Sequence, residues 1–559
     1  MTLDLLIRGG TVVDGTRGAA RTADVGVRGG RVVEVGRIGD AASETIDADG
    51  CVVAPGLIDI HTHYDAQLHW EPTASPSSWH GVTTVICGNC GFSLFPAKPD
   101  DVPWLLNMLS RVEGMSPDTL GAGVTFAGGD LGDFTAGLDG RIGVNAGFQV
   151  GHSAVRRYVM GEAAADRAAT QDEVAAMCDV VGAALEAGAV GFTSSQLEIH
   201  ADHEGKPVPS NLATPEELVA LAATVGASAH GVIEFIPWSN LDGYTDPDRT
   251  LMLAMCAASG RPMNVNPLQH LPTMPDTWRR CLDFAEEANR AGAQVRPQSA
   301  TQQLQVFFAL HDTFLFDQMP SFRETLTLPP AERASRLREA ALRDQMRAEL
   351  ADTTGRAFVF RWESVKVARA DAHPEWLGMT VPELRDALGA ANDLDAFLDA
   401  SLAEDLRTTF TLGGSAGRRS HDITAEIVAH PLTLPGSSDA GAHLTSYCGV
   451  DYTTRLLTEF VPDPLSLEEA VARLTSVPAA MYGFADRGVL QPGAWADVVV
   501  WDPSRLSSGA TRWAPDFPAG GGRFVVDSDG YTALVVNGEV VRRDGEDTGA
   551  RPGHVLKPG

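Results

Sequence analysis

Residues 56–67 read GLIDIHTHYDAQ, directly after the apolar run Cys51–Ala54 and a Pro55-Gly56 pair. On a strand, alternate residues leave the same face. Asp59, His61, His63 and Asp65 therefore project together if the strand runs through them. Flanks this apolar do not suit an exposed edge, so the stretch reads as half of a metal site rather than a solvated strand end. The rest of the chain has to say which metal chemistry it serves.

Outward from this stretch, apolar strand-like runs alternate with Ala-rich helical segments. Candidate strands are 57–61, 82–87, 142–150, 189–195, 231–236, 262–267, 293–298 and 432–439, with helical text such as QDEVAAMCDVVGAALEAG between them. Eight strands separated by helices predict an α/β fold, a metal-dependent (β/α)8 TIM barrel. Both chain ends differ in style. LLIRGGTVVDG near the start and GVLQPGAWADVVVWDP near the end alternate apolar and polar residues around Gly turns. They predict a small composite β-sandwich built from the two termini. The expected division is 1–55 and 485–559 for the sandwich and 56–484 for the barrel. Insertions near 96–140 and 300–430 are expected to cap the barrel mouth.

Active sites of such barrels form at the C-terminal ends of the strands. His61, His63 and Asp65 follow the first strand, and Cys90 lies in CGNCG after the second. His152 follows the third strand and His200 the fourth. Strand five offers Glu234, strand six Asn264 and Asn266, and strand seven Gln298. Asp439 and His443 stand in SSDAGAH at the last strand. Two imidazoles and a carboxylate bind a divalent transition metal well. The expected ligands are His61, His63, Asp65, His152, His200 and Asp439, with Cys90 as a further candidate. Asp439, His443 and Gln298 are the expected catalytic group, Gln298 and His443 orienting ligands or bound reactant. Trp104, Phe307 and Phe308 read as core, and Arg156 and Arg157 as solvent-facing.

PGLIDIHTH, GVTTVICGNCGFS and RGVLQPGAWADVVVWDP resemble the amidohydrolase superfamily, within it the N-acyl-D-amino-acid deacylase branch. That resemblance implies a sandwich plus a metal-bearing barrel, with His61, His63, Asp439 and Cys90 as ligands. It also implies histidines on strands five and six, where GVIEFIPWSN and PMNVNPLQH have none. A carboxylated strand-four Lys is no substitute, because Lys98, Lys206, Lys366 and Lys557 all lie elsewhere. HTHYDAQLHWEPTASPSSWHGVTTV, SSDAGAH and the tail from DFPAGGGRFVVDSDG resemble a longer subgroup. It includes the TIM-barrel nonheme diiron monooxygenases of platensimycin and platencin biosynthesis. This second resemblance implies two iron ions, dioxygen, an external electron donor and a small-molecule substrate carried as an acyl-CoA, such as a diterpenoid in natural-product biosynthesis. The expectation is therefore an oxidoreductase, a nonheme diiron monooxygenase. A zinc-dependent hydrolase of C–N bonds is the alternative, and a noncatalytic binding protein with a relic site is the third reading.

Composition limits the partners. A net charge of −30 disfavours nucleic acid. No run approaches the ~18 apolar residues of a membrane span. The N-terminus lacks a basic segment and cleavage site. The seven Cys show no disulfide spacing, which fits a reducing cytoplasm. A homodimer is the base expectation.

Overall fold

The computed structural model describes residues 2–559 except 199, 204, 273, 303–304, 312, 314, 355, 357 and 414–416. Its centre is an eight-stranded parallel sheet in chain order. We number these strands β1 (Leu57–Asp59), β2 (Val82–Cys87), β3 (Asn145–Gly151), β4 (Gly191–Ser195), β5 (Val232–Ile236), β6 (Met263–Leu268), β7 (Val295–Ser299) and β8 (Leu434–Pro435). The residues of β2, β3, β4 and β5 are buried throughout. Most of their residues are apolar or small because helices cover the sheet outside, with Asn145, Gln149 and Glu234 as buried polar exceptions. The covering helices include Gln171–Ala187, Pro215–Ala227, Asp246–Ser259 and Thr277–Arg290. The first of these begins in a capping box between Thr170 and Glu173.

The sheet curls, and the segments that follow its first and last strands touch. Thr62 bridges Ala440 in parallel register. The His63 N–H donates to the Ala440 carbonyl at 2.7 Å, and Ser438 Oγ donates to the His61 carbonyl at 2.9 Å. This seam brings the two ends of the ligand pattern, His61-x-His63 and Asp439, into one place.

A nine-stranded sheet combines both termini. Val499 pairs with Ala54, and Val535 with Val498. Its central strands carry a period of two. Val52, Ala54, Val499, Trp501 and Leu534 join the main core of the parallel sheet. Val53, Val498, Val500, Ala533 and Val535 turn the other way, into a core of their own with Leu5, Ile7, Val25 and Val27. One face of the terminal sheet is thereby fixed to the large body.

The segment expected to cap the mouth has a separate core. Phe308, Phe316, Phe322, Phe397 and Phe410 cluster there, around a three-stranded sheet of Gln305–Phe308, Lys366–Arg369 and Thr409–Gly413. The charged run PPAERASRLREAALRDQMRAEL forms two helices, Pro330–Arg336 and Ala340–Ala351. Among the described residues, no helix is long and apolar enough to cross a membrane.

Candidate metal centre

β1 is shorter than the alternation suggests. It ends at Asp59, and Tyr64–Gln67 is a short helix. The period of two therefore stops before Asp65, which does not share a face with the histidines. Its Oδ2 accepts the Gly88 N–H at 3.0 Å. Burial raises its pKa to about 7. Asp59 also turns from the cluster, accepting Ser438 Oγ at 2.7 Å.

His61 and His63 are fully enclosed. His61 Nδ1 donates to Gln298 Oε1 at 3.0 Å, which fixes the ring and leaves Nε2 for the cluster. That Nε2 lies 3.0 Å from Asp439 Oδ1 and 3.3 Å from Cys90 Sγ. His63 Nε2 lies 3.7 Å from the same Asp439 oxygen. Ligands about 2.0–2.3 Å from a tetrahedral ion sit roughly 3.3–3.7 Å from one another. His61, His63 and Cys90 offer ligand atoms that all fall within 4.8 Å of one another. Two imidazoles, a thiol and a carboxylate at these spacings fit a divalent transition metal.

Backbone strain falls on two of these residues and on two of their neighbours. Cys90 (φ 56°), Ser437 (φ 59°), Asp439 (φ 49°) and His443 (φ 49°) all hold left-handed conformations. L side chains adopt this region at a cost that the surroundings must offset. Cys90 is held by its own N–H, which donates to Glu234 Oε2 at 2.8 Å. Asn266 Nδ2 lies 3.8 Å from its sulfur.

The electrostatics favour a cation. Burial, then Glu234, pushes the Cys90 thiol well above its usual range. Burial, then Asp439, does the same to Glu113. Burial raises Glu234 to about 7. Burial holds His63 down near 4 and His200 near 3. His61 moves up although burial opposes it, because Asp439 outweighs that penalty, and Asp439 is correspondingly held low. A bound cation supplies the charge these buried donors lack and stabilises the thiolate.

The centre opens into a cavity of about 180 Å³ lined by Cys90, Phe92, Arg111, Glu113, His200, Ile236, Asn266 and His443, among others. A second lobe of about 110 Å³ adjoins it across Ser437, Asp439 and His443 and carries Gln269, Val306 and Tyr447. The residues that β5 and β6 present to the cavity are Ile236, Asn266 and Pro267, with no His among them.

The structure thus brings together His61, His63, Cys90 and Asp439, places Gln298 behind His61, and sets His200 and His443 on the cavity wall. His152 goes elsewhere. Its Nδ1 meets Ser194 Oγ at 2.8 Å and its Nε2 meets Glu217 Oε1 at 2.8 Å. Arg156, expected at the surface, is fully buried and paired with Glu217 at 2.5 Å. Arg157 pairs with Asp101 at 2.7 Å and covers the Trp104 ring. Phe307 stacks on Phe524.

Three charged cavity residues come from outside the expected set: Arg111, Glu113 and Asp317. Arg111 and Glu113 both lie on the helix Val102–Glu113, inside the 96–140 insertion. Arg111 pairs with Asp317 at 2.5 Å. Glu113 lies 3.2 Å from His63 Nδ1 and 3.9 Å from His443 Nε2. A signal existed: Leu105, Leu109 and Glu113 repeat every four residues, so an acid occupies the apolar stripe just before Gly114.

Comparison with known proteins gives this geometry a setting. The sequence model of the amidohydrolase family matches residues 44–542. N-acyl-D-aspartate deacylase of Alcaligenes xylosoxydans xylosoxydans is 30% identical, over 100% of this chain and 95% of its own. D-aminoacylase of the same organism is 27% identical, over 99% and 97%. The structure of N-acyl-D-glutamate deacylase from Bordetella bronchiseptica, complexed with zinc and a phosphonate inhibitor, matches with TM-score 0.69 at 28% identity over 100% of both chains. These full-length relatives are hydrolases. They overturn the expectation of an oxidoreductase, and with it the monooxygenase and diiron readings. The side chains agree, since Asp65 and His152, two of the expected ligands, are engaged elsewhere. The protein is a metal-dependent enzyme, and the chain belongs to the amidohydrolase family.

Proposed function

We propose that this protein hydrolyses the acyl C–N bond of N-acyl amino acids, of the D series by likeness to its relatives, with zinc as the ion. The observation that carries the reading is the convergence of His61, His63, Cys90 and Asp439 at the seam of the parallel sheet, in a chain whose full-length relatives are deacylases. The donor set suits zinc, and the zinc in the N-acyl-D-glutamate deacylase structure supports that choice.

His61, His63, Cys90 and Asp439 would hold the ion, which would supply Lewis-acid polarisation of an acyl carbonyl and of water. The remaining roles belong to the chain. Gln298 fixes the His61 ring, so that Nε2 is the ligand atom. Asp439, open to the cavity on one side, accepts the proton of the attacking water and passes it to the departing nitrogen. The carbonyl carbon gains the oxygen and loses the amine. The two lobes meet at Asp439 and suit the two arms of an amide. Arg111, braced by Asp317, is the group for a substrate carboxylate.

In the same reading the eight-stranded sheet is a closed (β/α)8 barrel spanning 56–484, supported by the Thr62–Ala440 bridge. Residues 1–55 and 485–559 then form one composite β-sandwich, supported by their shared sheet.

The test is amine release from a panel of N-acetyl-D- and N-acetyl-L-amino acids by zinc-reconstituted protein. The reading expects turnover of D substrates that His61→Ala abolishes. Turnover that survives His61→Ala would remove this centre from the reaction.

A further inference from the structure

Tyr447 lines the second lobe beside Asp439 and His443, and its hydroxyl has no part in the reaction above. Gln302 Nε2 lies 2.6 Å from the phenol oxygen. The same nitrogen faces the Gly449 carbonyl at 3.4 Å, and Gln302 Oε1 accepts the Thr301 hydroxyl at 3.1 Å. A carbonyl only accepts, so this end of the amide is its NH2. Tyr447 Oη therefore accepts from Gln302 and keeps its own proton for another partner. Among the described residues that proton has no acceptor. Burial, then Asp439, raises the phenol, so the proton stays on. The ring is held from both sides. The Ser446 and Tyr447 N–H groups donate to the His443 carbonyl at 2.7 and 2.8 Å, and Tyr447 bridges Val306 of the capping segment. A Cβ at Gly449 would lie 2.5 Å from Gln302 Nε2 and 2.6 Å from Tyr447 Oη. The Gln302–Tyr447 pair thus fills space that glycine alone leaves. The other hydroxyls of the lobe are committed to the chain. Ser437 Oγ donates to Gln298 Oε1 at 3.3 Å and Ser446 Oγ to the His443 carbonyl at 3.4 Å.

We propose that Tyr447 decides which acyl group the protein takes: its O–H donates to an oxygen carried on the acyl chain beyond the scissile carbonyl, so that short oxygenated acyl groups are preferred over aliphatic ones. The inference rests on the reading above, in which Arg111 of the first lobe takes the carboxylate and the acyl arm falls in the second. Size limits that arm. A cavity of about 150 Å³ holds benzene, so the lobe of about 110 Å³ takes roughly four heavy atoms. Ala300, Val306 and Phe358 give the lobe an apolar wall. An aliphatic chain there would cover the phenol proton without pairing it, and an unpaired buried donor costs affinity. An ether or hydroxyl oxygen at the same place pairs it. Gln269 also lines the lobe, but it can turn either end of its amide inward and sets no such preference.

N-methoxyacetyl-D-leucine and N-butanoyl-D-leucine are the probes. They differ only by an ether oxygen in place of a methylene, and leucine suits the first lobe, whose walls include Phe92, Leu197 and Ile236. Binding to metal-free full-length protein is measured calorimetrically, where no bond is broken. Amine release is followed separately after zinc loading. Wild type is expected to bind the methoxyacetyl compound roughly 5–100-fold more tightly. Tyr447→Phe removes only the hydroxyl. It is expected to bring the methoxyacetyl compound down to the butanoyl level and to leave the butanoyl compound unchanged within about twofold. Gln302→Leu keeps the hydroxyl but frees it to turn, and is expected to lose part of the preference; it guards against a Tyr447→Phe protein that fails to fold. No preference in wild type, or no binding of either compound, overturns the proposal. An equal loss for both compounds in Tyr447→Phe also overturns it, because the hydroxyl would then serve a group that the two share. A preference in binding with no amine released from either compound would refute the hydrolase reading and leave this assignment standing. Release from both at equal kcat/KM would keep the hydrolase reading and overturn the assignment.

Discussion

His61 has one ring nitrogen committed to Gln298 and the other facing Asp439 and Cys90. A partner that fixes a ligand's ring typically contributes 10–100-fold to metal affinity. Gln298→Ala should therefore weaken zinc binding by roughly 10–100-fold in a chelator competition, with the fold intact. Unchanged affinity would show that the ring is held by packing alone. His61, His63 and Asp439 were legible as ligand-type residues at strand ends, whereas Cys90 was only a further candidate there and a ligand by the family resemblance. Asp65 and His152 looked equivalent by the same criterion. What separates them is the Gly88 N–H on one and Glu217 on the other, and neither partner is near in sequence. Glu113 was hidden for the opposite reason, being a ligand-type residue on an insertion helix that strand logic does not sample.

At the scale of elements, each expected strand overlaps an observed one, but the strands that bear ligands are shorter than their apolar runs. β1 stops at Asp59. β8 stops at Pro435, because Ser437 and Asp439 turn left-handed. Positive φ at non-glycine residues is not written in composition, so sequence reading extends such strands into their sites. The helix His152–Met160 shows what a misplaced ligand does instead. His152 and Arg156, one turn apart, both meet Glu217 on the helix Pro215–Ala227, and all three are buried. Breaking a buried pair from one side leaves the other charge stranded. Glu217→Gln should cost about 3–5 kcal/mol in urea unfolding, without changing zinc content. Burial tends to raise the Glu217 pKa, but His152 and Arg156 hold it below its ordinary 4.5. Its contribution is thus present above the unfolded value and is lost as the pH falls through the lowered folded one. The acid limb of stability should lose that component in Glu217→Gln. An identical acid limb in both proteins would contradict the assignment.

At the scale of the whole molecule, the two chain ends close over the parallel sheet through a buried polar knot. Asp497 pairs with Arg487, accepts Asn145 Nδ2 of β3 at 3.2 Å, and accepts the Asn537 N–H at 2.8 Å. Asp497→Ala strands a buried guanidinium and unties both bodies. It should lower stability by about 3–5 kcal/mol and unfold the terminal sheet together with the parallel one. Separate transitions would show that the two are independent. The joining of the termini was read from the Gly-turned strand text shared by both ends; the division of Val498 to Trp501 between two cores is visible only in the structure. The chemistry was not legible in the same way. The missing strand-five and strand-six histidines pointed away from hydrolysis, and the full-length deacylase relatives together with the Cys90-containing cluster point back to it. The central claim, metal-dependent amide hydrolysis at this cluster, is tested most directly by removing metal with a chelator and adding zinc back while following amine release from N-acetyl-D-amino acids. The account predicts no release from the stripped protein and recovery on zinc addition. Zinc bound at Cys90, shown by loss of binding in Cys90→Ser, with no amine released from any substrate of the panel, would contradict it.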